Sequence, residues 1–463
     1  MSNSKKKSAK PAVETPKQAQ EEKVTLLAAE SSKKKWQNWW LRTITTFMMI
    51  GTFFLILASG HIWVILMVIA ISTVVYNEVL QIAQGPAKDS NFKWFKTMSW
   101  YFLVTTTYFL YGESIIYYFQ HVVLVDRVLL PFATHHRFIS FILYVIANAD
   151  FDCTPGFVFF VMNLKKGEYK RQFRQFGWMH MALLLVVFQS HFIVNNILEG
   201  LIWFFIPTSL VICNDIFAYI CGFFWGRHQL IQLSPKKTIE GFVGAWICTL
   251  IFGFLWSTLL MRFDYMICPV KQADADILLK DLSMSAWSQI GCDPVNPVFT
   301  AVPWKLPDLW ITIIKTLFHK DITKVWIAPV QLHTLVWACF ASLIAPFGGF
   351  FASGVKRAFN VKDFGQSIPG HGGMTDRMDC QFLMGFFAYI YYQSFIKTYN
   401  LNVGTILATI INNLSLNDQL ELLERILTYF VNQGVLDPTV LQKCGASALT
   451  DTARQILETP PSL

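Results

Sequence analysis

Asp376 and Asp379 stand three residues apart in the stretch Ser353–Asp379, SGVKRAFNVKDFGQSIPGHGGMTDRMD. On a helix that spacing puts both carboxylates on one face. Two such carboxylates suit Mg²⁺, which binds through one or two carboxylates together with substrate phosphates. The same stretch supplies Lys356, Arg357 and Lys362 as phosphate-seeking cations, and Asp363 as a further acidic group. Pro369, Gly370, Gly372 and Gly373 flank His371 and let backbone approach a ligand closely. Arg377 is available to pair with a neighbouring carboxylate. Two apolar segments, Leu343–Phe351 and Phe382–Phe395, enclose all of this. Charge is costly beside lipid, so its density here marks a functional site rather than a solvated loop.

Two further constellations carry chemistry. Asp215 lies inside the apolar run SLVICNDIFAYICGFF. It either pairs with a cation on another helix or serves as a metal or substrate ligand. In SPKKTIEG, Ser234 reads as a helix N-cap with Pro235 at the first helical position. Lys236 and Lys237 then fall in the first turn, against the helix dipole, a misfit that a bound anion resolves. The plainer reading is cytosolic loop charge. Arg227 and His228 extend the patch upstream. Glu78, Glu113, His191, Asn195, Asn196 and Glu199 are in-membrane polar groups of weaker signal. Of these, Glu78, His191 and Glu199 fall near span ends, where interfacial solvation accounts for them; Glu113 is deeper. The chain has no P-loop, no GxGxxG fingerprint, no HExxH and no nucleophile elbow.

The elements that must position these residues are membrane helices. The chain is 54% hydrophobic, 16% aromatic and 15% charged, against about 25% charged in soluble domains, and its mean hydropathy is +0.41. Apolar runs predict spans at 42–59, 61–83, 98–118, 137–163, 178–197, 200–223, 240–262, 331–351 and 381–397. That is an all-α, polytopic transmembrane bundle of about nine spans. The fourth run is interrupted by Asp150, Asp152, Pro155 and Gly156. Residues 1–38 read as a disordered cytosolic tail without a cleavable signal. Lys33, Lys34, Lys35 and Arg42 hold the N-terminus in the cytosol. Alternation then puts the loop with Lys165, Lys166, Lys170, Arg171 and Arg174, the Arg227–Lys237 loop and the 353–380 stretch on the cytosolic side, so the polar site faces the cytosol.

Residues 39–397 form the membrane domain, and 263–330 is its one long non-cytosolic or interfacial loop, with an amphipathic helix expected over 307–329. Cys268 and Cys292 in that loop are able to pair if that side is oxidising. Residues 398–463 are soluble in character. Their amphipathic helix docks on the membrane domain or on a second copy of the chain in a homodimer. The net charge of +8 suits anionic headgroups or nucleotide phosphates. Basic residues dispersed among spans exclude a nucleic-acid surface.

Carboxylates with glycines, a lysine-rich helix start and an Asp in the adjoining span together suit metal-assisted phosphoryl or nucleotidyl transfer to a lipid, which needs no covalent nucleophile. The pattern S-x-x-K-R-x4-K-D … I-P-G-H-G-G-x-x-D-R-x-D over Ser353–Asp379 resembles the signature of the phosphatidate cytidylyltransferases, or CDP-diacylglycerol synthases. Ser234–Gly244 and Cys213–Arg227 resemble other blocks of that family, and the likeness covers residues 39–430. It is closest to the eukaryotic branch of the endoplasmic reticulum. The resemblance implies CTP and phosphatidic acid as substrates, CDP-diacylglycerol and pyrophosphate as products, and Mg²⁺ as cofactor. It implies metal binding by Asp376 and Asp379, with Asp215 or Asp363. Phosphate contacts would come from Lys236, Lys237, Lys356, Arg357 and Lys362, and a hydrogen bond to phosphate from His371. Alternatives are a membrane CTP-dependent kinase, such as a polyprenol kinase, and a non-enzymatic carrier of phosphorylated solutes.

Overall fold

The computed structural model describes residues 32–84, 93–119, 135–145, 156–270, 284–288, 296–305, 323–397 and 414–437, apart from Gln232, Leu233, Pro235, Lys236 and Gly370, with a few more positions at 306–322 and 406–413. The chain divides into two compact units, Met1–Ile396 and Lys397–Leu463. The first is a helix assembly: α1 (Ser32–Ser59), α2 (His61–Gln84), α3 (Lys93–Phe119), α4 (His136–Val145), α5 (Phe157–Met162), α6 (Tyr169–Ala182), α7 (Gln189–Leu198), α8 (Ile202–Trp225), α9 (Ile239–Leu260), a short α10 (Asp264–Ile267), α11 (Pro329–Leu343), α12 (Pro346–Ala358) and α13 (Thr375–Tyr391). A π-helical segment, Leu183–Phe188, joins α6 to α7. Among the described residues, five helical stretches are long and apolar enough to cross a membrane: His61–Ile82, Tyr169–Leu198, Ile202–Trp225, Ile239–Leu260 and Pro329–Ala358. Thr43–Ser59 and His136–Val145 are shorter apolar helices. The chain is therefore a multi-pass, mostly helical membrane protein.

Several boundaries differ from the sequence reading. α1 begins at Ser32, inside the expected tail. The fourth expected span gives two short helices, α4 and α5, and the residues between them lie outside the described residues. Lys170, Arg171 and Arg174 sit on the first turns of α6 rather than in a loop. The eighth span breaks at Ile344–Ala345 and restarts with Pro346 at the N-terminus of α12, which carries Ser353–Ala358 as helix. In the 263–330 loop, Lys324–Ile327 is a strand (β2), paired antiparallel with β1 (Val302–Lys305), so a helix does not extend through 329. Val325, Trp326 and Ile327 are strand-favouring residue types, which explains the difference. Cys268 is disulfide-bonded; Cys292 lies outside the described residues. In the second unit, α14 (Leu416–Asn432) is an amphipathic helix whose N-terminus is capped by the Ser415 hydroxyl.

The site rests on how α8 meets its neighbours. α8 packs against α9, α11 and α13, and α13 packs against α7 and α12. The α8–α9 crossing is close because glycines face it. A Cβ on Gly241 would stand 2.8 Å from the Ala218 carbonyl oxygen, and one on Gly244 would stand 2.7 Å from Cys221 Sγ. Small residues at such crossings let two backbones touch where lipid gives no hydrophobic drive to associate. Between α11 and α13, the Phe340 and Phe387 rings stack with centroids 3.7 Å apart. Trp203 and Trp337 are fully buried in the same core.

Candidate active site

The signature stretch begins as the last turns of α12. Lys356 and Arg357 fall in its final turn, where cations complement the helix dipole. The helix closes with Asn360 in the left-handed region at φ 54. The Val361 N–H bonds to the Lys356 carbonyl at 3.0 Å and the Asn360 N–H to the Arg357 carbonyl at 3.2 Å, the paired closure of a Schellman motif. The chain then crosses to a tight turn in which the Ile368 N–H meets the Gly372 carbonyl and the His371 N–H meets the Ile368 carbonyl, each at 3.0 Å. Gly372 has φ +87, a conformation that favours glycine. The His371 ring reaches α1, with Nε2 at 3.1 Å from Thr46 Oγ1 and Nδ1 at 3.4 Å from Thr45 Oγ1.

α13 starts at Thr375, so Asp376 and Asp379 are both helical, one turn apart. Their partners differ. Asp376 Oδ1 accepts from Lys356 Nζ at 2.6 Å, and Asp376 Oδ2 accepts from the Phe364 N–H at 3.1 Å. Lys356 also lies over the Phe364 ring, 5.7 Å from its centroid. Asp379 Oδ1 accepts from the Cys380 N–H at 2.7 Å. Its backbone and carboxylate press on Gly348 and Gly349 of α12. A Cβ on Gly348 would sit 2.6 Å from the Asp379 carbonyl oxygen, and one on Gly349 would sit 3.3 Å from Oδ2.

The Asp215 carboxylate, exposed on α8, has Lys237 Nζ at 3.9 Å. Arg377 is close enough to act on it as well. Asp215 in turn repels Asp379. Asp379 lies outside the five stretches able to cross a membrane; burial, aided by Asp215, raises its carboxyl to about 6, despite the opposing Cys380 hydrogen bonds and Lys356. Two hard-oxygen groups that repel each other are the setting a divalent cation relieves. Among the described residues no three His, Cys, Asp or Glu side chains gather as a ready metal cage. Mg²⁺ does not require one, since it takes one or two carboxylates and completes its shell with substrate phosphates and water.

Of the other sequence-derived residues, Arg357, Lys362, Asp363, Arg377 and Arg227 are exposed, and His371 is half-buried. Asp363 lies across the turn from Gly372, whose Cβ would stand 3.6 Å from the Asp363 carboxyl carbon. Arg377 donates to the His371 carbonyl at 3.2 Å. Lys236 and Gly370 lie outside the described residues.

The helix start at 234–241 needs correcting. α9 begins at Ile239, and its N-cap is Thr238, whose hydroxyl accepts from the Gly241 N–H at 3.2 Å. Ser234 and Lys237 precede the helix. The reason is a hairpin-like closure: Leu230 N–H bonds to the Lys237 carbonyl and Ile239 N–H to the His228 carbonyl, both at 2.9 Å. Glu240 then satisfies the dipole and accepts from the Arg227 N–H at 3.0 Å and from His228 Nδ1 at 2.6 Å. The lysine that a helix-start anion would have met faces Asp215 instead.

Sequence reasoning missed one major participant. Glu78, assigned to interfacial water, is 3% exposed. Its carboxylate accepts from the Ser367 hydroxyl, from the Met374 N–H at 2.9 Å, and from the Thr375 N–H at 2.8 Å and hydroxyl at 2.6 Å. The available signal was a carboxylate in an apolar run, which is a functional pointer even near the run's end. Gly348-Gly349 in LIAPFGGFF was a second missed signal, for close helix approach.

Comparison with known proteins places this geometry in context. Residues 40–395 match the model of the cytidylyltransferase family. The chain is 50% identical over 398 residues to a putative phosphatidate cytidylyltransferase of Schizosaccharomyces pombe, covering 86% of this chain and 85% of the relative. It is 42% identical to phosphatidate cytidylyltransferase of Saccharomyces cerevisiae, over 88% of this chain and 83% of the relative. It is 40% identical to human phosphatidate cytidylyltransferase 1, over 88% of this chain and 82% of the relative.

Proposed function

The chain belongs to the cytidylyltransferase family, and from that membership we infer that it makes CDP-diacylglycerol and pyrophosphate from CTP and phosphatidic acid. The observation that carries the reading is that Asp215, 3.9 Å from Lys237, lies near enough to Asp379 to act on its charge, although the two blocks are well over a hundred residues apart. An oxygen of the phosphatidate phosphate attacks the α-phosphorus of CTP. The bond from that phosphorus to the oxygen bridging to the β-phosphate breaks, and pyrophosphate leaves with the electron pair. Positioning and charge neutralisation supply most of the catalysis in such a transfer.

We assign Asp215 and Asp379 to the metal, with Asp363 as a further acidic ligand. Asp376, expected from sequence as a metal ligand, is paired with Lys356 at 2.6 Å, and we assign it instead to holding that ammonium towards the phosphates. When bound, Mg²⁺ neutralises phosphate charge and orients the leaving group. Lys236, Lys237, Arg357, Lys362 and Arg377 are the remaining phosphate cations, and Gly370, Gly372 and Gly373 allow the ligand's close approach. The finer topology we propose has about nine spans with the site and the N-terminus cytosolic, in the endoplasmic reticulum membrane; basic loops support it.

The test is incorporation of radiolabelled CTP into lipid by purified protein, with and without phosphatidate and Mg²⁺. Asp379→Asn should abolish incorporation while the protein stays folded. Retained incorporation would overturn the metal assignment. Release of CDP rather than pyrophosphate would indicate a kinase.

A further inference from the structure

We propose that Glu78 is a positioning residue that caps α13 from another helix and so sets the orientation of Asp376 and Asp379. α13 starts without a cap of its own. The N-cap position is Met374, whose side chain accepts no backbone hydrogen bond. Helix starts leave unsatisfied N–H groups that a nearby carboxylate oxygen stabilises. Here the carboxylate comes from α2. Glu78 takes the Met374 N–H on Oε1 and both Thr375 donors on Oε2. A fourth donor, the Ser367 hydroxyl, ties the far side of the turn to the same group.

All four partners are donors, so the site fits a carboxylate and rejects an amide. A glutamine would turn an NH₂ group against donors on one side. The surrounding backbone is built around this group. A Cβ on Gly365 would stand 2.7 Å from Glu78 Oε1, and one on Gly373 would stand 2.9 Å from Oε2. The lack of a side chain at Gly365 and Gly373 is therefore what lets the turn close on Glu78. The Trp178 indole N–H donates to the Val79 carbonyl at 3.0 Å and fixes α2 beside Glu78. Asp376 follows the capped Thr375 directly and Asp379 lies about one turn further, so tilt at the start of α13 moves both carboxylates.

The inference rests on the cytidylyltransferase reading only for its activity assay. The experiment compares full-length wild type, Glu78→Gln, Ser367→Ala, Thr375→Val and the Glu78→Gln/Thr375→Val double variant. It measures kcat and KM for CTP, and hydrogen–deuterium exchange of peptides over 361–378. Residues that orient a metal-ligating shell typically cost about 10–100-fold when changed. Glu78→Gln should lower kcat/KM by that amount. Exchange should speed up over Met374–Arg377, with the α8–α9 peptides unchanged. The double variant should be no worse than Glu78→Gln alone, because both act through one cap. If Glu78→Gln fails to fold, Ser367→Ala is the deciding variant, since Ser367 is exposed and its removal spares the core. It should speed the same exchange and lower turnover several-fold.

Unchanged exchange over Met374–Arg377 in a folded variant would overturn the cap, whatever the activity. Faster exchange with unaltered turnover would overturn its positioning role. Additive losses in the double variant would show Glu78 and Thr375 acting separately, and would also overturn it. Failure of the cytidylyltransferase reading would show differently, as a wild type that makes no CDP-diacylglycerol while the exchange result stands.

Discussion

The two halves of the site both turn from an irregular segment into a helix, and they do it by opposite means. At α9 the chain caps itself: Thr238 bonds the Gly241 N–H, and Glu240 gathers the preceding turn. At α13 the start is held by Glu78, 297 positions away from Thr375 in the sequence. A self-capped helix keeps its start wherever the helix goes. A helix capped from outside keeps its start only while two elements stay in register. The α13 half, with Asp376 and Asp379, is therefore the half that senses the packing of the whole bundle. The α9 half is autonomous and offers Lys237 to it.

That contrast can be broken by experiment. Gly373→Ala should have the largest effect, because its Cβ meets the Gly365 N at 2.7 Å and Glu78 at 2.9 Å. Displacement of the catalytic carboxylates by about 1 Å costs on the order of a hundredfold in turnover, and a turnover assay on detergent-purified protein reads it. Activity near wild type would end the claim that α13 depends on distant contacts. Lys356→Ala comes next. It leaves the poorly exposed Asp376 with only the Phe364 N–H. An unpaired, partly buried charge costs about 1–3 kcal/mol, visible as a lower thermal midpoint together with reduced turnover. Thr238→Ala should have the smallest effect: loss of an N-cap costs about 1 kcal/mol, with turnover largely kept and Thr238→Ser restoring stability. If Thr238→Ala lost as much activity as Gly373→Ala, the two halves would not differ in kind.

The same distinction decides what the sequence made legible. Spans over α2, α8 and α9 were legible because apolar length is a local property. Asp376 and Asp379 were legible as a pair because three residues on a helix are one face, and α13 does begin before them. Asp215 announced itself by standing in lipid-like surroundings. Glu78 was misjudged because a carboxylate near a span end looks the same whether it meets water or a loop that returns almost three hundred residues later. The α9 start was misplaced for a different reason. Ser234 and Thr238 are both capping residue types, and the choice between them is made by the pairing of Gln229 with Thr238, a contact between two segments with no periodic signal. The strand at Lys324–Ile327 was missed because its pairing partner, Val302–Lys305, lies outside the 307–329 run read as a helix.

The contact between Glu78 and the signature turn also has a consequence for the order in which the chain is made. Glu78 enters the membrane early, and its partners Ser367, Met374 and Thr375 are synthesised 289 to 297 residues later. At about 5–20 residues per second that is an interval of roughly 15–60 s. Throughout it, the end of α2 carries a carboxyl group whose final hydrogen bonds do not yet exist. Those hydrogen bonds can form only after the signature turn and the start of α13 have been made. Closing of the Glu78 contact is then a late event of biogenesis, and the active centre is completed in the same step.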